Sequence, residues 1–120
     1  MKKIAVAFVL VMVVSPVAQA MMALNCSEAA SLDDQQLGDC VGQETGIMED
    51  TLSQLGKTYT HLSWDKIQES QSAWKNYMGA NCAFHELNAG GGGADVRALN
   101  ECKVRMLFER NRELEFMSAQ

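Results

Sequence analysis

Six residues in this sequence are of types that bind metal ions or form cross-links, four cysteines and two histidines. They are Cys26, Cys40, Cys82, Cys102, His61 and His85. A structural zinc site uses cysteines two to four residues apart, whereas no two cysteines here are so close and the histidines do not form a helical pair. An even number of widely spaced cysteines favours two disulfide bonds. We therefore expect cross-links, and neither a metal nor any other cofactor.

The first twenty residues have the pattern of a secretory signal peptide. Lys2 and Lys3 precede the apolar run IAVAFVLVMVV, and the small-residue site Ala18-Gln19-Ala20 follows. This pattern predicts cleavage after Ala20, which leaves residues 21–120 as one domain. The apolar run is shorter than the roughly 20 residues that a membrane helix needs. We therefore expect a periplasmic or secreted protein with no membrane span in its mature part.

The charge of the chain is distributed unevenly. Without residues 1–20 the chain has 8 Lys+Arg, which is 10 minus Lys2 and Lys3, against 15 Asp+Glu, a formal net charge of −7. No lysine or arginine occurs between Met21 and Gly56. Nucleic-acid binding depends on basic side chains that contact phosphates. The acidity therefore argues against a nucleic-acid partner and favours a cationic one.

A run of four glycines, Gly90–Gly93, separates Cys82 from Cys102. A phosphate-binding loop would continue with Lys-Ser/Thr or connect a strand to a helix, and neither feature occurs here. We interpret the run as a turn in which glycine adopts positive φ angles. Four cysteines allow three pairings. We favour Cys26–Cys40 with Cys82–Cys102, because each bond closes a local loop and the second closes the glycine turn.

Apolar residues recur at helical spacing in three segments. The first stripe has spacings of four, three, four and three residues and comprises Met48, Leu52, Leu55, Tyr59 and Leu62. We expect this helix to follow a short helical turn and to begin near Cys40. We expect Ser63 to cap a second helix that ends near Cys82, and Asp95 to cap the third. The sequence thus predicts an all-α domain of three antiparallel helices held by two disulfides.

A bond between Cys82 and Cys102 would set the register of the second and third helices. Trp74 precedes Cys82 by eight residues and Arg110 follows Cys102 by eight, so antiparallel packing brings both to one level, about 12 Å from the bond. Gln71 lies within one helical turn of that level. We expect a cation–π contact between Arg110 and Trp74. The alternative is that Arg110 and Gln71 extend into solvent.

These residues also carry a resemblance to a known family. Gln71-Ser-Ala-Trp74-Lys-Asn-Tyr77, followed by Cys82, resembles the Q-x-x-W-x-x-Y…C motif of the LprI-like family of small exported bacterial proteins. Leu55-Gly-Lys-Thr-Tyr59 is similar to the family's L-N-x-x-Y stretch, and Arg110-Asn-Arg-Glu-Leu114 to its R-x-x-x-L ending. The motif residues implied to be structural are Gln71, Trp74, Tyr77, Leu55, Tyr59, Arg110 and Leu114. Because the family is named after a lysozyme inhibitor, the resemblance implies that function.

The sequence contains no recognisable catalytic motif, so we expect a binding protein rather than an enzyme. Together with the resemblance, the acidity predicts a partner of opposite charge, a cationic lysozyme, because complementary charge speeds and orients encounter. We expect the contact residues on the cross-linked loop and on the acidic pair, namely Phe84, His85, Glu86, Asn88, Asp33 and Asp34. The alternative is a non-catalytic interaction protein of the bacterial envelope with a different partner.

Overall fold

The computed structural model describes residues 24–120, and within them it contains three long α-helices, one 3₁₀ turn and no strand. The helices are α1 (Asp34–Thr58), α2 (His61–Leu87) and α3 (Ala94–Ser118), and the 3₁₀ turn spans Ala29–Ser31. The prediction of an all-α fold is therefore confirmed. The predicted signal peptide lies outside the described residues. Among the described helices, none has both the length and the apolarity needed to cross a membrane.

Helix α1 begins with a capping box. The Asp33 carboxylate accepts a hydrogen bond from Gln36 N (2.8 Å), and Asp33 N donates to Gln36 Oε1 (3.0 Å). The helix was predicted to begin near Cys40, which lies in its second turn, so α1 begins six residues earlier, at Asp34. Tyr59 is already the extended C-cap residue, so Leu62 belongs to the next helix and is 80% exposed. The prediction that Leu62 continues the buried stripe was wrong, because the break at Tyr59 changes the chain direction.

Helix α2 starts earlier and ends later than predicted. Its N-cap is Thr60, whose Oγ1 accepts from Ser63 N (3.5 Å), so Ser63 lies inside the helix and does not cap it. At the other end the helix passes Cys82 and continues to Leu87. No glycine or proline interrupts the chain between these two residues. The predicted loop at residues 84–88 is therefore the last turn of α2 and its C-cap.

The glycine run forms the turn between α2 and α3. All four glycines, Gly90–Gly93, have positive φ angles between 66° and 93°, which confirms the expectation from the sequence. Gly93 in the left-handed conformation is the N-cap of α3, and no side chain caps this helix. The prediction that Asp95 is the cap was wrong, because the helix begins at Ala94, immediately after the glycine turn, and Asp95 is already its second residue. Asp95 lies in the first turn, where its charge favours the helix dipole.

Helix α3 packs against both α1 and α2, and these two helices also touch where Gln71 Nε2 lies 3.2 Å from Met48 Sδ. Helix α1 runs parallel to α3, because Asp34 pairs with Arg97 near the start of both helices. Near their other ends, Tyr59 Oη donates to Met117 O (2.8 Å). Helix α2 runs antiparallel to both, as its position between them in the chain requires. Because α3 packs against both other helices, its residues connect the whole domain.

Both disulfides join the cysteines that the sequence favoured, Cys26 with Cys40 and Cys82 with Cys102. All four cysteines are buried. The apolar cluster beside the first bond comprises Cys26, Ala29, Leu37, Cys40 and Val104. The second cluster comprises Met48, Leu55, Leu107 and Leu114. Val104 is fully buried, although the sequence pattern did not single it out.

Candidate functional site

The α2 residues predicted to contact a partner lie on the last turn of that helix and at its cap, where the backbone is regular. Phe84 is 62% exposed, and its ring makes an edge contact with the exposed His85 ring, with centroids 5.8 Å apart. Glu86 is half-buried. Asn88 is the C-cap, and its Nδ2 donates to Phe84 O (2.8 Å). The chain therefore presents an aromatic side chain to water from a regular helix.

The second disulfide anchors this turn of α2 to α3. Cys82 and Cys102 are both buried. One residue earlier, Asn81 Nδ2 donates to Met106 Sδ (3.4 Å) and to Cys102 Sγ (3.6 Å). Because Phe84 follows Cys82 by only two residues, its backbone cannot shift far without moving α3.

The predicted acidic pair has structural contacts as well as exposure. Asp33 is the N-cap of α1. Asp34 Oδ1 accepts from Arg97 Nη1 (3.0 Å), although the Asp34 side chain is 78% exposed. The same guanidinium donates from Nη2 to Leu32 O (2.8 Å) and pairs through Nε with Glu101 (3.0 Å). Arg97 therefore holds the start of α1 against α3.

The acidic pair and the last turn of α2 lie at the same end of the bundle. Arg97, the partner of Asp34, is in the first turn of α3, and Cys102 is five residues farther along. From Cys82, opposite Cys102, α2 runs back toward that first turn. We call this region the glycine end and define it as residues 33–34, 84–88 and 90–97. It combines an exposed aromatic ring with carboxylates on both sides of α3.

The predicted contact between Trp74 and Arg110 is present in the middle of the molecule. The guanidinium carbon of Arg110 lies 5.9 Å from the Trp74 ring centroid. Its Nε donates to Gln71 Oε1 (3.0 Å), its Nη2 donates to Ser70 Oγ (3.3 Å), and its Nη1 pairs with Glu113 (3.1 Å). Arg110 is only 3% exposed. The alternative, in which Arg110 and Gln71 extend into solvent, was therefore wrong.

Sequence reasoning missed a second buried polar pair, on the α1 side. Asn111 Nδ2 donates to Glu44 Oε2 (2.8 Å) and to Glu44 O (2.9 Å), and both residues are buried. Asn111 Oδ1 is buried and accepts no hydrogen bond from the described residues. A signal was available, because Glu44 lies four residues from both Cys40 and Met48, and Asn111 four residues from Leu107. We call the four buried polar residues the central polar layer, which comprises Glu44, Gln71, Arg110 and Asn111.

The remaining motif residues have contrasting environments. Leu55 and Leu114 are buried in the second apolar cluster. Tyr59 is half-buried, and its hydroxyl bonds to the end of α3. Tyr77 differs from them, because it lies on the outer face of α2 and is 63% exposed. The motif therefore contains one side chain that the described core leaves in solvent.

An open groove of about 430 Å³ lies between α1 and α2. It is lined by Glu49, Leu52, Ser53, Trp64, Gln68, Gln71, Ser72 and Lys75. Its volume falls in the range of small-ligand sites, and it contains one side chain of each charge. Nowhere in the described part of the chain are three or more His, Cys, Asp or Glu side chains grouped as a metal site. The groove therefore offers polar and aromatic contacts but no metal centre.

Comparison with known proteins links this architecture to a family. A family model described as lysozyme inhibitor LprI matches residues 26–114, and the match includes both disulfides, the central polar layer and the glycine end. Neither the curated proteins nor the solved structures gave a match. Since the matched segment is most of the sequence, the chain belongs to the LprI lysozyme inhibitor family.

Proposed function

We propose that the protein is an exported inhibitor of lysozyme that binds the enzyme through its glycine end. The observation that carries this proposal is the family match over residues 26–114. Inhibition by occupation of a substrate cleft needs contact area and no chemistry from the inhibitor, so the proposal includes no catalytic role. Two disulfides suit an oxidising compartment. We accordingly propose export directed by residues 1–20, with cleavage after Ala20, to the periplasm or the outside.

The charge distribution supports a cationic partner. Residues 24–56 contain seven acidic and no basic side chains, whereas residues 57–120 contain eight of each. The net charge of −7 over residues 24–120 therefore arises entirely from residues 24–56, which comprise the segment before α1 and all of α1 except its last two residues. Complementary charge raises the association rate and orients the partner more than it raises affinity. A cationic lysozyme would be drawn to the α1 side of the glycine end.

The exposed ring of Phe84 would supply apolar binding energy, whereas the acidic side chains mainly affect the rate and orientation of association. Binding energy concentrates in a few side chains that enter a desolvated pocket, and aromatic residues are common among them. Phe84 is exposed, and the disulfide two residues away fixes its backbone. In the proposed complex its ring enters the substrate cleft. The polar groups around the ring that would contact the rim of the cleft are His85, Glu86, Asn88, Asp33 and Asp34.

Titration of the oxidised protein into a lysozyme turnover assay tests the proposal. We expect saturable inhibition that is lost after reduction and alkylation of the cysteines. Phe84→Ala should raise the inhibition constant by about tenfold or more, the effect of losing a binding hot spot. Phe116→Ala is the matched control, because Phe116 is 68% exposed on α3 and lies outside the glycine end. Absence of inhibition against every class of lysozyme would overturn the proposal.

Salt tests the electrostatic part separately. The Debye length falls from about 10 Å at 0.1 M salt to about 3 Å at 1 M. We therefore expect slower association as salt rises, while the dissociation rate changes less. Affinity and rates that do not change with salt would contradict charge steering, and would favour an envelope partner bound through apolar contacts.

A further inference from the structure

Helix α2 has a second apolar stripe, on its outer face. The outer stripe has spacings of four, three, four and three residues and comprises Ala73, Tyr77, Ala80, Phe84 and Leu87. All five side chains are exposed, with Tyr77 at 63%, Phe84 at 62% and Leu87 at 85%. The inner stripe comprises Ile67, Gln71, Trp74, Met78 and Cys82. Residues at such spacings share one helix face, so α2 has two apolar faces and α3 covers only the inner one.

The outer stripe has the spacing of a coiled-coil seam, in which alternating steps of three and four residues meet a facing helix. Contiguous exposed apolar surface of this kind marks interaction sites. The central part of the stripe also has uncharged flanks, since no lysine, arginine, aspartate or glutamate occurs from Asn76 to His85, and Lys75 and Glu86 lie at its two ends. The stripe is therefore suited to another helix that is also uncharged.

We propose that the outer stripe is the interface of a symmetric homodimer in which the α2 helices of two copies pack antiparallel. A two-fold axis at the level of Cys82 places Phe84 opposite Ala80 of the partner subunit, and Leu87 opposite Tyr77 of the partner subunit. Each bulky phenyl ring then meets a small methyl group, as knobs-into-holes packing requires. The same patch serves both copies, which is the condition for a two-fold interface.

A second copy matches the outer stripe in charge, because the facing segments of both helices are uncharged from Asn76 to His85. Two copies that each carry a net charge of −7 repel one another, and in each copy that charge arises from residues 24–56. Helix α1 contains most of these residues, whereas the outer stripe lies on α2. Association through the uncharged face of α2 therefore joins the copies while the acidic segments stay outside the seam. A cationic partner would be drawn to α1 instead.

The dimer should be weak. Stable interfaces bury at least about 1,200 Å², and a seam of four layers lies below that size, so we expect a dissociation constant on the order of 10–100 µM. The dimer does not depend on the proposed function, but both use Phe84. A lysozyme bound at the glycine end would therefore compete with the second copy, and inhibition would come from the monomer.

Sedimentation velocity of the oxidised, exported protein without lysozyme tests the dimer. We expect the mass to rise from one chain to two between about 1 µM and 1 mM, as the expected dissociation constant requires. Phe84→Glu and Leu87→Glu should remain monomeric throughout this range. Phe116→Glu and Leu62→Glu are matched controls, because these residues are as exposed (68% and 80%) but lie outside the outer stripe. The controls should dimerise like the wild type.

Mixing two variants tests the register. Ala80→Lys and Phe84→Glu should each be monomeric, and their mixture should form a heterodimer because the introduced charges face each other across the seam. Thermal melts of all variants verify the fold. A monomeric wild type at 1 mM, equal loss of dimer in the controls, or no heterodimer in the mixture would each overturn the proposal. If the wild type is monomeric and the Leu87→Glu variant no longer inhibits lysozyme, the outer stripe binds the enzyme instead.

Discussion

Helices α1 and α2 both pack on α3, yet they differ in their outer surfaces and in how they are attached. Helix α1 carries acidic side chains and three glycines at four-residue spacing, and it is attached through the Glu44–Asn111 pair and through Arg97. Helix α2 has an uncharged apolar outer face and is attached through a disulfide and through Arg110. Charge and apolar contact surface are thus located on separate helices. A partner can be oriented by one helix and held by the other.

The two attachments also differ in their buried charge. Arg110 on the α2 side has hydrogen-bond acceptors, an aromatic face and a carboxylate around it. Glu44 on the α1 side receives its side-chain hydrogen bond from a neutral amide. Buried charges are stabilised by partners and are costly without them. Removing the buried charge of Arg110 should therefore lower the stability of the protein, whereas removing that of Glu44 should not.

Removal of the second disulfide should have the largest effect. Replacing Cys82 and Cys102 by alanine should destabilise the protein by about 3 kcal/mol, because the bond restricts the unfolded chain. Removing the Cys26–Cys40 bond should cost slightly less, since its loop is shorter, with a sequence separation of 14 rather than 20. Chemical denaturation of the two variants measures the ranking. A larger loss for the first bond would contradict it.

Arg110→Ala should destabilise the protein by about 2–3 kcal/mol, because it leaves Gln71 Oε1 buried without its donor and removes the cation–π contact. Arg112→Ala is the control, since Arg112 is exposed on the same helix. The control should change the free energy of unfolding by less than about 0.5 kcal/mol. If the two variants unfold at the same denaturant concentration, Arg110 does not hold α2 in place.

Glu44→Gln should stabilise the protein by about 1 kcal/mol, because it removes a buried charge and adds a donor for the unpartnered Asn111 Oδ1. Glu49→Gln is the control on the same helix, and it should have little effect because Glu49 is exposed. Thermal melts near pH 7 compare both with the wild type. Destabilisation by Glu44→Gln would show that the α1 attachment also depends on its charge.

Gly42→Ala should give the smallest change, a stabilisation of about 0.5–1 kcal/mol, because glycine costs backbone entropy inside a helix. Apart from its chain neighbours and the adjoining backbone of α1, no atom lies within 4 Å of the position that its Cβ would occupy. Gly56→Ala is the contrasting variant, since its Cβ would lie 3.1 Å from the Trp64 ring. Denaturation midpoints of both variants check the prediction. A loss of stability in Gly42→Ala would reveal a contact on the outer face of α1.

Much of the fold follows from local patterns. Local loops favoured the observed disulfide pairing, and the second bond placed Trp74 beside Arg110 through the constant rise of a helix. The helix ends were less predictable. Thr60 and Ser63 are equally good caps by type, and the choice depended on where the chain turns. The end of α2 was misplaced because a cross-linked cysteine does not end a helix, and α2 continues to Leu87, just before the run Gly90–Gly93.

The sequence by itself determined the number of helices, since this depends on short-range spacing. It favoured the observed cross-links and, through the second bond, the register of α2 against α3. Only the tertiary structure showed that α2 has a second apolar stripe that stays exposed. The stripe with Tyr77 and Phe84 has the same periodicity as the stripe that ends at Cys82. The disulfide and the flank of α3 cover one stripe and leave the other in water. The burial of a helix face depends on the element that packs against it, and the periodicity of one helix does not specify that element.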